Sequence, residues 1–180
     1  MGNIVNIGPK GSRLDWDNWG KPITDAVNQL WVLANPPTFR VYQQNDAPQN
    51  MPNVTWQAIS FDKEVYDSDN GHDLVINKSR WTCVTPGLWE FTGKISWDSN
   101  TAGRRQSRWF LNNTTVVLGS ETSQPPASSA SAIPASTCQQ RMAVGDFIEL
   151  QGNQDSGGTR TTSYLNDGFT SYMAGRLIAL

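Results

Sequence analysis

Between Leu88 and Trp97 the chain alternates. Trp89, Phe91, Ile95 and Trp97 share one parity, while Glu90, Thr92, Lys94 and Ser96 share the other. Alternation with a period of two puts successive side chains on opposite faces of an extended strand. Polar residues on a whole face could not survive in a parallel sheet covered on both sides, so this is a half-buried antiparallel strand.

The same period governs the chain from Phe39 to Leu180. Further strands are expected at 39–44, 54–61, 74–76, 80–84, 108–111, 115–118, 138–142, 147–151 and 171–180. Turn residues punctuate them, at Asn70-Gly71, Pro86-Gly87, Ala102-Gly103, Asn112-Asn113, Gly145-Asp146 and Gly157-Gly158. About ten short strands at this spacing, with no helical pattern among them, predict an all-β antiparallel sandwich or jelly roll. The run SETSQPPASSASAIPAS at 120–136 is too polar for a core strand and reads as a long surface loop.

Only one segment has the other period. In PITDAVNQLWVLA the apolar residues fall at Ile23, Ala26, Val27, Leu30, Trp31 and Ala34, a helical stripe. Pro22 suits the first turn, where its missing N–H is harmless. Asn35-Pro36-Pro37 stops the helix, because a residue before proline leaves the helical region. Residues 1–21 show no sustained periodicity and read as an extended arm. A helix of about three turns is marginal alone, so its stripe must dock, either on the β-domain or on copies of the chain or a larger assembly.

Composition narrows the function classes. Fourteen basic against sixteen acidic residues, a formal charge of −2, argue against a nucleic-acid partner. Eight Trp, six Phe and four Tyr argue against disorder. No apolar run approaches a membrane span, and the first residues lack the apolar core of a signal peptide, so no membrane insertion or export is expected. On that basis Cys83 and Cys138 are expected as reduced core residues and the Asn-x-Thr/Ser sequons as incidental.

Chemistry is sparse. His72 is the single histidine and reads as a turn residue, and neither cysteine has a base nearby in sequence, so no nucleophile–base arrangement is expected. Asp67, Asp69 and Asp73 invite a calcium reading, but the loop fails the EF-hand spacing: Gly71 comes one position early and Lys78 stands where the bidentate Glu belongs. No metal, no cofactor and no enzymatic activity are expected. Arg104-Arg105-Gln106-Ser107-Arg108 reads as a solvated turn. Trp81, Trp89 and Trp97 lie on inward parity, whereas Trp16, Trp19 and Trp109 could be core or could be exposed rings that stack on sugars.

The order of motifs resembles the trimeric jelly roll of the complement globular-head and tumour-necrosis-factor-like superfamily. Its aromatic, Pro-Gly turn and aromatic-x-aromatic strand are matched by Trp81, Gly87, Trp89 and Phe91. Its apolar-x-x-Gly-Asp run is matched by Met142-Ala143-Val144-Gly145-Asp146, and its closing aromatic-x-Gly-x-Leu by Met173-Ala174-Gly175-Arg176-Leu177. Val84 and Met173 depart from the family's usual proline and phenylalanine. The resemblance covers about residues 39–180 and implies a compact homotrimer. Trp16-Asp17-Asn18-Trp19-Gly20 and the helix after it look like the attachment segments that open phage tail and virion-surface proteins. The expectation is therefore a non-enzymatic protein on the surface of a bacteriophage particle, with two parts. Residues 1–35 would attach and oligomerise through Trp16, Trp19, Ile23, Val27, Leu30 and Trp31. Residues 39–180 would trimerise, with Trp81, Gly87, Trp89, Phe91, Gly145, Asp146, Gly175 and Leu177 as fold motif. The partners would be the chain itself and capsid or tail proteins. The alternative is a tail knob that binds a host receptor or surface glycan.

Overall fold

The computed structural model describes residues 16–44, 48–125, 135–162 and 170–180, and for residues 16–19 and 135 the backbone alone. The chain opens with one helix, α1 (Trp16–Ala34). Thirteen strands follow among the described residues: β1 (Thr38–Tyr42), β2 (Asn50–Met51), β3 (Gln57–Ala58), β4 (Lys63–Asp67), β5 (Arg80–Thr82), β6 (Gly87–Lys94), β7 (Arg105–Leu111), β8 (Thr115–Val116), β9 (Thr122–Gln124), β10 (Ala135–Met142), β11 (Phe147–Gln154), β12 (Arg160–Thr161) and β13 (Tyr172–Ala179).

They build an antiparallel jelly-roll sandwich. One sheet runs β10-β6-β13-β1-β4, and the other β3-β11-β7-β8, with β5 added to β11 and β9 to β7. A small ribbon pairs β12 with β2. The alternation on β6 is realised: Trp89 and Phe91 are fully buried while Glu90 and Thr92 are not. Its partners β13 and β10 send Met173, Leu177, Cys138 and Met142 into the same layer. The facing sheet supplies Trp81, Trp109, Ile148 and Leu150. Trp109, undecided from sequence, is fully buried.

The two layers meet ring on ring. Phe39 stacks on Trp81 at 4.7 Å with planes 7° apart, Trp81 meets Trp89 at 4.4 Å, and Phe91 meets Trp109 at 5.6 Å. Gly175 makes this possible. On β13 it stands opposite Phe39 of β1 on one side and Phe91 of β6 on the other. A Cβ there would lie 2.6 Å from Phe39 Cε1 and 2.9 Å from Phe91 Cδ1. Gly145 answers to a backbone demand instead, with φ at +88° in the turn between β10 and β11. Beside it, Asp146 accepts from the Ala143 N–H and the Asn112 side-chain amide, both at 2.8 Å, and its carbonyl accepts from Cys83 N–H at 2.7 Å.

Several sequence expectations change. The helix begins at Trp16, so residues 16–21 are helical rather than an arm, and residues 1–15 lie outside the described residues. Pro22 therefore sits inside the helix and forfeits one bond to the carbonyl four residues back. A Lys21–Asp25 ion pair at 2.7 Å and a Thr24 hydroxyl bond to the Gly20 carbonyl at 2.9 Å link its two sides. Residues 74–76 form no strand: the Asp73 carboxylate accepts the N–H groups of Val75 (2.7 Å) and Ile76 (2.9 Å) and folds them into an exposed bend. The 54–61 strand shrinks to Gln57–Ala58. Part of the supposed 120–136 loop is sheet, since Thr122–Gln124 pairs with β7 and Ser136 with β6. Residues 126–134 lie outside the described residues. Arg104–Arg108 is no solvated turn either. From Arg105 on it is β7, and Arg105 points inward, fully buried, donating to the Ala102 and Arg104 carbonyls at 3.2 Å.

Two outcomes follow from this core. Gly175→Val should lower stability by roughly 1–3 kcal/mol through overpacking, read as a fall in midpoint on thermal unfolding. An unchanged midpoint would show that the two rings do not occupy that space. Both cysteines are free and buried. Burial pushes the Cys83 thiol up to about 11 and the Cys138 thiol to about 12, from an ordinary 9.0. Their contribution to stability is full below pH 9 and is lost as pH rises through 11–12, where the unfolded chain gains by ionising. Both should resist a thiol reagent at neutral pH until the protein is denatured.

Candidate functional site

The stripe on α1 has no cover. Ile23, Val27, Leu30 and Trp31 are 56%, 57%, 67% and 70% exposed. Leu33 on the next turn is exposed as well. The side chains of Trp16 and Trp19 lie outside the described residues. Among the described side chains of the helix, Val32 alone packs against the sandwich core, and Gln29 reaches a shallow concavity lined by Gly87, Arg141, Met142, Asp146 and Leu180. The helix thus touches its own β-domain at its last turns and leaves its most apolar residues in solvent. Large exposed apolar patches on a folded protein mark interaction surfaces.

Sheet topology places this helix at one end of the sandwich. Its C-terminus leads through Asn35-Pro36-Pro37 into β1, and the Pro37 carbonyl accepts from Leu177 N–H at 3.0 Å near the end of β13. The turn between β5 and β6 and the turn between β10 and β11 lie at the same end, joined by paired backbone bonds between Cys83 and residues Gly145 and Asp146. Their tips, Val84 and Val144, and the terminal Leu180 are exposed. The apolar helix face and these tips form one end of the molecule.

The motif residues expected from sequence come together in the sandwich and its adjoining turns. Trp81, Trp89, Phe91 and Leu177 are core, Gly175 separates two of the rings, and Gly87 opposes Met142 in the β6–β10 register. Gly145 and Asp146 shape the turn beside them. They build the fold, and Gly87 and Asp146 also line the concavity that Gln29 of the helix reaches.

A second surface was invisible in the sequence. On the outer face of the second sheet the Arg108 guanidinium lies 4.0 Å above the Trp56 ring and 5.2 Å from Phe110, with its Nε donating to Gln151 Oε1 at 2.9 Å. Arg80 covers Phe147 at 4.4 Å on the same face. Trp56, Arg108 and Phe110 are half-buried, and they meet because β3 and β7 flank β11. The outward parity of Arg108 and Phe110 was the available clue, but Trp56 comes from a stretch with no alternation.

The acidic loop is occupied with its own backbone. Asp67 accepts from His72 N–H at 2.8 Å and from the Trp81 indole N–H at 3.4 Å, while Asp73 holds Val75 and Ile76. Those two backbone bonds hold the Asp73 carboxyl below the ordinary carboxylate range. His72 is buried, its Nε2 3.0 Å from the Lys78 carbonyl. Among the described residues no group of three His, Cys, Asp or Glu could hold a metal ion. A chelator should therefore leave the thermal midpoint unchanged. A fall of several degrees that calcium restores would show that this loop holds an ion.

No protein-family model matches the chain, and no curated protein sequence matches it. Solved structures do resemble it in fold. The globular domain of a zebrafish complement 1qA protein aligns over 79% of this chain and 97% of its own, with a TM-score of 0.54 and 16% identity. Murine APRIL, in a crystal structure at pH 5.0, aligns over 79% of this chain and 99% of its own, with a TM-score of 0.57 and 10% identity. At these identities the likeness establishes a shared jelly-roll architecture.

Proposed function

We propose that this chain is a non-enzymatic structural protein of a bacteriophage particle, a homotrimeric jelly roll displayed on the virion surface and anchored to capsid or tail by its N-terminal segment. The observation that carries this reading is the helix stripe turned to solvent at the end of the sandwich that also bears the C-terminus. A surface of that kind destabilises an isolated chain in water and favours assembly, because each Å² of apolar surface covered contributes ~25 cal/mol. The residues that fill the core all come from the sandwich, with Val32 of the helix packed against them. The shared fold with the complement and APRIL domains, and the likeness of Trp16-Asp17-Asn18-Trp19-Gly20 and the helix after it to phage attachment segments, support the same assignment.

The absence of an activity is supported by the state of the candidate groups. Both thiols are buried and stay protonated at neutral pH, and the single histidine spends its Nε2 on a backbone carbonyl. Neither is poised as a nucleophile or a base.

One observation favours a second reading, a tail knob for a host-surface glycan: the half-exposed Trp56, Arg108 and Phe110 present rings and a cation on an open sheet face. Binding to a glycan array that Trp56→Ala abolishes would select it over the purely structural role.

The structural role has its own test. Light scattering should return about three times the 19.9 kDa chain mass. Added to particles stripped of it, the full chain should restore decoration, whereas a chain lacking residues 1–35 should not. Decoration at full occupancy by the shortened chain would place attachment on the jelly roll and overturn this division of roles.

A further inference from the structure

The sequence of α1 has a finer order than a helical stripe. Trp16, Trp19, Ile23, Ala26, Leu30 and Leu33 are spaced three, four, three, four and three residues apart. That is the first-and-fourth pattern of a heptad repeat, kept through the whole helix Trp16–Ala34. Resting on the reading that the chain self-associates, we propose that the α1 helices of three copies pack in parallel along this seam as a short coiled coil, so that the occupant of the exposed stripe is the same helix of the two other chains.

Three observations point to copies of itself as the occupant. A 3-4 spacing matches a supercoiling helix of the same repeat, because a straight partner surface would favour 3.6 rather than 3.5 residues per turn. Next, the seam and the docking of the helix on its own sandwich use opposite sides. With about 100° per residue, Val32 lies roughly 200° around from Leu30, while Ile23, Ala26 and Leu33 all fall within about 60° of it. Val32 is the residue that packs on the core, and Ile23, Ala26, Leu30 and Leu33 are exposed. Lys21, Asp25 and Asn28 share the Val32 side, so the helix can hold its own domain and two neighbours at once. Third, Val27 and Ala34 extend the apolar arc to the position after each fourth heptad residue. That arc is wider than a two-stranded seam and suits a bundle whose helices each meet two others.

A helix of 19 residues spans about 28 Å and would be marginal alone. It is not alone, for only Asn35-Pro36-Pro37 separate it from β1. The two prolines restrict that link, and a trimeric sandwich would hold three such helices at one end, pointing the same way, at high effective concentration.

The test uses the full chain, whose two native thiols are buried. Ala26→Cys puts a thiol on the seam and Asn28→Cys puts one on the far side. Under mild oxidation Ala26→Cys should give at least about tenfold more disulfide-linked dimer than Asn28→Cys, because a bridge needs Cβ atoms about 4 Å apart. One chain in each trimer should remain unlinked. Light scattering on the unlinked wild type separates the two proposals. A trimeric mass with equal linking of the two variants would overturn the helical seam and leave self-association through the sandwich standing. A monomeric mass would overturn both. Preferential linking in the purified protein, with no particle present, would show that the stripe is covered by its own copies rather than by a capsid or tail surface.

Discussion

The stack of aromatic rings between the two sheets holds the rest of the structure in place. Phe39, Trp89 and Phe91 from one sheet interlock with Trp81 and Trp109 from the other, and all five are fully buried. Offset and tilted ring pairs each add roughly 0.5–1.5 kcal/mol beyond the area they bury. Their spacing tolerates no extra atom at Gly175, which β13 inserts between the strands that carry Phe39 and Phe91. Register in this sheet is therefore specified: a one-residue slip of β13 would drive a side chain into the rings.

A core that closes on itself frees other surfaces for assembly. The buried aromatics all come from the sandwich, and among its described residues the helix meets that sandwich near Gln29 and Val32 while Ile23, Val27, Leu30 and Trp31 stay in solvent. The turns that pin β5 to the β10–β11 connection, through Asp146 and Asn112, make a firm platform at the same end.

The acidic loop and the cysteines show the same economy. Carboxylates that could have been metal ligands satisfy backbone N–H groups, and thiols that could have been reactive fill the core.

Much of the fold was legible because it rests on local patterns. The alternation on β6, the inward parity of Trp81, Trp89 and Trp97, and the turns at Gly145-Asp146 and Pro86-Gly87 each depend on neighbouring residues, and the helix stripe was visible as a period. Where pairing partners decide, the sequence was silent. Lys63–Asp67 became a strand by lying on the edge of β1, with a face that is never covered and so never alternates. Leu74-Val75-Ile76, strand-like in composition, bends because Asp73 caps it. Arg105 goes inward because the parity of β7 is set by Trp109, and Trp56 finds Arg108 only because β3 and β7 lie on either side of β11. The heptad spacing of α1 was written in the sequence by itself. That the stripe faces away from the sandwich was decided by tertiary structure, because the contact at Val32 falls on the opposite side of the helix.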